Sequence, residues 1–127
     1  MKQIISTTKA PSAIGPYNQA TAFDKLLFLS GQIPLVPQTM EIIEGGVKEQ
    51  TKQVMENLKA VLEEAGSSFE NVLKTTCYLS DMDNFVAFNE VYGQYFKGET
   101  APARSTVAVK TLPKNVLVEV DTIAFKN

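Results

Sequence analysis

Histidine and tryptophan are absent from the 127-residue chain, and cysteine occurs once, as Cys77. Without histidine, the chain has no Ser-His or Cys-His nucleophilic pair and no histidine-ligated metal. A single cysteine forms no disulfide within the chain, no CxxC redox pair and no thiolate-rich zinc site. These absences exclude the commonest nucleophilic and metal-dependent mechanisms.

An excess of positive charge and a long apolar run are missing as well. The formal net charge is −2, so the chain lacks the basic footprint of a protein that binds nucleic acid or anionic lipid. The longest apolar stretch, at residues 26–29, is far shorter than a membrane span. The first residues lack the apolar core of a signal peptide. We therefore expect a soluble, cytoplasmic protein with no nucleic-acid or membrane partner.

The length and the apolar pattern predict one α+β domain over residues 1–127. Apolar residues recur at spacings of three and four over residues 47–65 and again over 84–96, which predicts two helices. Alternating and β-branched patterns predict strands at residues 2–6, 17–23, 26–33 and 71–79. Residues 104–112 and 116–125 are interpreted as a β-hairpin that turns at Pro113, Lys114 and Asn115. A second sheet face that is apolar would need a partner chain to cover it.

Arg104 is the single arginine beside eleven lysines. A planar guanidinium binds a carboxylate through two parallel hydrogen bonds, which an ammonium group does not reproduce. Arg104 is therefore a candidate anchor for a small carboxylic acid. The competing interpretation is a structural salt bridge.

Glu119 interrupts the otherwise apolar segment VLVEVDTIAF. If its carboxylate is buried, its pKa rises, and a pKa near neutrality suits proton transfer to and from water. If the strand has one wet face, Glu119 and Asp121 simply face solvent together. In a hairpin with a three-residue turn, Arg104 and Glu119 fall on opposite faces of the sheet, and a bulge reverses this. One site could therefore draw the two residues from different subunits.

Four further residues are weaker candidates. Ser30 and Gly31 interrupt an apolar strand, where a glycine marks a bulge or a close backbone approach. Tyr17 could place its hydroxyl in a cleft or pack at a strand start. Asn89 lies one helical turn from apolar neighbours and is either a ligand contact or a satisfied amide.

Five stretches together resemble the RidA/YjgF/YER057c family. They are APSAIGPYNQA, LFLSGQIPL, QVMENLKAVLEEAG, NEVYGQYF and PARSTVAVKTLPKNVLVEVD, and they run in order over nearly the whole chain. The last block, with its PARS, LP and VEV elements, is the most specific.

This resemblance implies a chorismate-mutase-like fold, with a mixed sheet and two helices on one face. It also implies a homotrimer around a central β-barrel, with clefts at the subunit interfaces that bind small carboxylic acids. The RidA branch hydrolyses reactive 2-imino acids, such as 2-iminobutanoate and 2-iminopropanoate, to 2-oxo acids and ammonia. These substrates are released by pyridoxal-phosphate enzymes such as threonine dehydratase, and no metal or organic cofactor takes part.

The resemblance also assigns roles to residues. It implies that Arg104 binds the substrate carboxylate and that Glu119 positions the attacking water. The remaining substrate-binding positions are Tyr17, Ser30, Gly31 and Asn89. Many members carry cysteine two residues after the arginine, where this chain has Thr106, whose hydroxyl can still contact ligand or water.

Other functions remain open from the sequence. A non-catalytic regulator of amino acid or purine metabolism would use Arg104 to bind a 2-oxo acid without turnover. Ribonuclease activity has been ascribed to some members, but the net charge and the missing histidine weigh against it. A chaperone-like activity would not need Arg104.

Overall fold

Six strands form one mixed sheet, and two helices cover one of its faces. The computed structural model describes residues 1–127. Its main elements are β1 (Gln3–Ile5), β2 (Ala20–Phe23), β3 (Leu26–Gln32), α1 (Val47–Glu64), β4 (Val72–Leu79), α2 (Phe85–Tyr92), β5 (Ala103–Ala108) and β6 (Val118–Phe125). The predicted single α+β domain with a mixed sheet and two helices on one face is confirmed.

Helix α1 follows its apolar stripe. Val54, Met55, Leu58, Val61 and Leu62 are all 1% exposed or less and pack against the sheet. The helix begins after Gly46, whose backbone N–H donates to the Glu49 carboxylate at 2.8 Å and so gains a partner at the helix start. It ends where Gly66 takes a φ of +78°, a conformation that glycine adopts at low cost.

Helix α2 is shorter than the predicted span of residues 84–96. It begins at Phe85, after a turn in which the Asp81 carboxylate accepts a hydrogen bond from the backbone N–H of Asp83 at 2.8 Å. It ends at Tyr92, and Gly93 follows. The apolar pattern continues to Phe96 because the turn after the helix also packs on the core, where Phe96 is 7% exposed.

The predicted hairpin of the last two strands is wrong. The strand order is β1-β2-β3-β6-β4-β5, so β4 lies between β5 and β6. Strand β5 is parallel to β4 and β6 is antiparallel to it. The connecting chain passes around the end of β4, where Val109 N–H donates to the Leu79 carbonyl and Ser80 N–H donates to the Leu117 carbonyl. Burial explains why β6 lies inside the sheet and not at its edge, since Val118 and Val120 are fully buried, which a central strand allows.

The sheet face opposite the helices, called the open face below, carries large apolar side chains that nothing in the chain covers. Strand register puts Ile4, Thr21, Phe28 and Ile123 in one row across this face. Ile4 is 54% exposed and Phe28 is 45% exposed. A contiguous apolar patch of this kind is typical of a surface that another chain covers.

Neither helix has the combination of length and apolar composition needed for a membrane span.

Candidate functional site

Arg104 lies near the start of β5, the edge strand beside β4. It is paired in register with Thr75, whose side chain is buried on the helix side of the sheet. The Arg104 side chain therefore lies over α2. Its Nη1 donates to the Asn89 Oδ1 at 2.7 Å. The guanidinium carbon is 4.9 Å from the ring centre of Tyr92 and 5.5 Å from that of Phe85.

The guanidinium has no carboxylate partner in the chain. The one ion pair of the structure joins Lys48 to Glu90. The competing interpretation of Arg104 as a structural salt bridge is therefore wrong within a single chain. One nitrogen is occupied by Asn89, and the other N–H groups have no hydrogen-bond partner in the chain. An exposed guanidinium with a free edge is suited to bind a carboxylate.

Thr106 lies two residues further along β5, on the same side of the sheet as Arg104. Its register partner is Cys77, which is fully buried. The Thr106 hydroxyl oxygen is buried and has no hydrogen-bond partner. An unpaired buried hydroxyl costs free energy, and the Cys77 thiol on β4 lies close enough to interact with this one. Asn89, Arg104 and Thr106 are called the arginine cluster below.

Cys77 is not a candidate nucleophile. Burial raises the pKa of its thiol to about 11, so the thiolate is scarce at neutral pH.

Glu119 lies on β6 with its side chain on the open face. It is paired in register with Tyr78, and its neighbours Val118 and Val120 point to the helix side. Burial raises the pKa of the Glu119 carboxyl above its usual value, and the nearby Asp121 carboxylate raises it further. The direction of this shift fits the alternative of a partly buried carboxylate, although Glu119 and Asp121 do lie on one face of the strand, as the competing interpretation held. Asp121 is itself held by Tyr78, whose hydroxyl donates to it at 3.1 Å.

Gly31 gives the Glu119 carboxylate its space. The register between β3 and β6 shifts between Leu29 and Gln32, so Gly31 lies in the irregular part of the strand. A Cβ atom on Gly31 would collide with Glu119 Oε2 and lie 2.9 Å from its Cδ. The expected close approach at Gly31 is thus present, and its partner is the candidate catalytic carboxylate.

Tyr17 and Ser30 border the same region. The Ser30 hydroxyl donates to the Asn18 carbonyl at 2.6 Å. Tyr17 is 48% exposed and lines a small cavity together with Gly31 and Gln32. It also lines a shallow groove with Ser30 and Phe28 on the open face. Tyr17, Ser30, Gly31 and Glu119 are called the glutamate cluster below.

Gln19 was not predicted as important, but it fixes the loop that carries Tyr17. Its side-chain amide donates to the carbonyls of Thr7 at 3.0 Å and Pro11 at 2.8 Å, and its Oε1 accepts from Thr7 N–H at 2.7 Å. Its own carbonyl accepts from Ser30 N–H at 3.0 Å. A polar residue before a buried strand was the available sequence signal.

The two clusters lie on opposite faces of the sheet. Arg104 faces the helices and Glu119 faces away from them, as the strand registers require. No cavity of the chain is lined by either residue. No group of three or more acidic or thiol side chains converges as a metal site would require. One chain therefore keeps the two groups of candidate residues apart and does not bring them to one cleft.

Comparison with known proteins identifies the relatives of this chain. Residues 7–126 match the protein family described as Endoribonuclease L-PSP. A RutC family protein from Pyrococcus abyssi is 54% identical over 98% of both chains. The mouse 2-iminobutanoate/2-iminopropanoate deaminase is 46% identical over 99% of this chain and 93% of its own. The crystal structure of E. coli TdcF with bound serine superimposes with a TM-score of 0.92 at 42% identity, over 98% of this chain and 99% of that one. The chain belongs to this family, the RidA/YjgF family that its sequence motifs resemble.

Proposed function

We propose that this protein hydrolyses reactive 2-imino acids, such as 2-iminobutanoate and 2-iminopropanoate, to 2-oxo acids and ammonia. It would do so in the cytoplasm, on intermediates released by pyridoxal-phosphate-dependent dehydratases, and without a metal or organic cofactor. Support comes from the 46% identity to a mouse enzyme that bears this name and from the free guanidinium of Arg104. The relative that binds serine, itself a small carboxylic acid, also supports a ligand of this class.

The observation that carries the proposal is the free guanidinium edge of Arg104, and the separation of the two clusters decides how many chains the site needs. Because Arg104 and Glu119 face opposite sides of one sheet, a single chain cannot bring them to one substrate. A second chain packed on the apolar open face would bring its own arginine cluster to the glutamate cluster of the first. A ring of three such chains would close a central barrel of sheets and leave three interface clefts.

Arg104 would anchor the substrate in this cleft. Its free edge would bind the imino acid carboxylate through two parallel hydrogen bonds. Asn89 holds one nitrogen of the guanidinium, and the Thr106 hydroxyl, which is buried and unpaired in the single chain, would contact the bound ligand or a water molecule. Such a fixed anchor places the C=N carbon at a defined point in the cleft.

Glu119 would activate water at that point. The water oxygen forms a bond to the C=N carbon, and the carboxylate accepts the proton that the water loses. The C=N π electrons move to nitrogen, and the same proton is then delivered there, which gives a carbinolamine. Glu119 next takes the proton of the carbinolamine hydroxyl and passes it to the amino nitrogen, so that the C–N bond breaks, ammonia leaves, and the C=O bond of the 2-oxo acid forms. Burial raises the pKa of the Glu119 carboxyl, which makes its protonated form easier to reach and so suits a group that takes up a proton and returns it.

The direct test is ammonia release from freshly generated 2-iminobutanoate. Wild-type protein should accelerate hydrolysis over the spontaneous rate, and Arg104→Ala should lose that acceleration. Lys59→Ala, which removes an exposed positive charge on α1, is the matched control and should retain it. No acceleration by the wild-type protein would contradict the proposal.

The same preparation distinguishes the regulatory alternative. A 2-oxo acid sensor would bind 2-oxobutanoate through Arg104 but leave the rate of imine hydrolysis unchanged. Calorimetric titration with 2-oxobutanoate, run beside the ammonia assay, separates the two functions.

A further inference from the structure

Tyr92 is a buried aromatic residue that contacts the candidate anchor. It is 6% exposed, and its ring packs 5.3 Å from that of Phe88 and 4.8 Å from that of Phe96. The same ring lies 4.9 Å from the Arg104 guanidinium carbon. The Tyr92 hydroxyl forms a 2.7 Å hydrogen bond with the Thr75 hydroxyl.

We propose that Tyr92 is a positioning residue that fixes the guanidinium plane of Arg104 and leaves its free edge directed at the ligand carboxylate. This inference rests on the proposed function, because it assumes that Arg104 is the carboxylate anchor. Tyr92, a buried residue of the core, thereby acquires a role in ligand recognition.

The need for such a residue follows from the exposure of Arg104. A long, exposed arginine side chain has many rotamers, and fixing them on ligand binding costs free energy. Asn89 holds one nitrogen, which leaves the plane of the group free to rotate about that contact. The faces of Tyr92 and Phe85 restrict this rotation because the positive guanidinium is attracted to an aromatic ring face.

The hydroxyl of Tyr92 completes a closed set of contacts. Thr75 on β4 is the register partner of Arg104 on β5, and it also bonds the Tyr92 hydroxyl from α2. The backbone pairing, the hydrogen bond and the ring–guanidinium contact thus link three elements around one point. A phenylalanine would supply the ring face but not the link to β4.

The composition of the chain supplies a direct probe. Because Arg104 is the single arginine, a ¹⁵N-labelled sample contains one arginine Nε–Hε signal, which needs no assignment. In the wild-type protein we expect this signal to be rigid and shifted by the ring current of Tyr92. Tyr92→Leu should shift it towards the value of a free arginine and lower its heteronuclear Overhauser effect.

Phe69→Leu is the control, since Phe69 belongs to the same aromatic cluster through Phe96 and is in ring contact with neither Tyr92 nor Arg104. It should destabilise the protein by loss of aromatic packing and leave the Nε–Hε signal unchanged. Tyr92→Phe, which keeps the ring, covers the case in which Tyr92→Leu does not fold. It should raise the mobility of the signal and leave most of its ring-current shift.

Ligand affinity gives the second measurement. Tyr92→Leu should bind 2-oxobutanoate about fivefold more weakly than the wild type, from the usual size of a ring–cation contact at an exposed site. Its affinity for 2-oxobutanamide, which lacks the carboxylate, should not change. A merely structural role would weaken both ligands equally.

Unchanged Nε–Hε signals and affinities in Tyr92→Leu, or in Tyr92→Phe where the former does not fold, would overturn the inference. The proposed enzyme activity would survive that result if Arg104→Ala still abolished imine hydrolysis. If the wild-type protein instead fails to hydrolyse imines, but Tyr92→Leu selectively weakens 2-oxobutanoate binding, the enzyme proposal fails and the positioning role stands.

Discussion

The arginine cluster and the glutamate cluster are assembled in different ways. Asn89 and the ring residues Phe85 and Tyr92 lie on one face of α2, at spacings of four and three, and Arg104 from the adjoining edge strand rests on that face. The glutamate cluster instead joins β6 to the irregular end of β3, residues that are far apart in the chain. The first depends mainly on local helical periodicity, whereas the second depends on which strands become neighbours.

This difference explains which parts of the structure can be predicted from the sequence alone. The spacing of apolar residues predicts helix α1 and the apolar face of α2. Arg104 is conspicuous as the single arginine. The wrong hairpin arose because β5 and β6 are adjacent in the chain and their turn chemistry is favourable, while nothing local reports that β4 separates them. The opposite-face placement of Arg104 and Glu119 was one of two arrangements that the sequence left open, and it was reached by way of that wrong pairing.

Individual residues show the same limit. Gly31 could be recognised as a bulge or a close approach, but its partner could not, because the register shift that brings Glu119 to it is a long-range feature. Tyr92 was visible as part of an apolar stripe. Its contact with Arg104 requires β5 to lie beside α2, which periodicity does not report.

The largest expected effect comes from a charge on the open face, because loss of the subunit contact would separate the glutamate cluster from the arginine cluster. Phe28→Asp places a carboxylate in the apolar patch that a second subunit is proposed to cover. We expect dissociation to monomers in sedimentation and loss of imine hydrolysis to the spontaneous rate, with the fold of each chain retained. Ile42→Asp, at an exposed apolar residue outside the sheet, should leave both assembly and activity intact. A fully active monomer of Phe28→Asp would show that one chain suffices.

A methyl group at Gly31 should damage the glutamate cluster alone. Gly31→Ala forces the Glu119 carboxylate to move, because the new Cβ occupies its place. We expect kcat for imine hydrolysis to fall about 10- to 100-fold, as misplaced catalytic groups typically cause. Binding of 2-oxobutanoate through Arg104 should change little. Gly46→Ala, whose added Cβ meets only Glu49 Oε1 at 3.8 Å, is the control. Equal activity of the two variants would argue against a role for the Glu119 position.

The smallest expected effect is a pH-dependent gain in stability from Glu119→Gln. Burial raises the pKa of Glu119 in the folded chain above its ordinary value of 4.5. Ionisation of Glu119 therefore lowers the free energy of unfolding at pH values above the folded-state pKa. This loss of stability disappears below pH 4.5, where the group is protonated in both the folded and the unfolded states. Thermal unfolding should show Glu119→Gln more stable than wild type at pH 7, with the difference vanishing as the pH falls. Glu63→Gln on the exposed face of α1 should show no such trend.

The most direct test of a site shared between subunits is a mixing experiment. Arg104→Ala and Glu119→Gln should each be inactive, because each destroys one half of every cleft. If the proposed trimers of the two variants are dissociated, mixed in equal amounts and reassembled, about one quarter of the clefts should receive both intact residues from neighbouring subunits. We therefore expect imine hydrolysis to return to about a quarter of the wild-type rate. No recovery, with mixed trimers demonstrated by mass spectrometry, would contradict a cleft built from Arg104 of one subunit and Glu119 of the next.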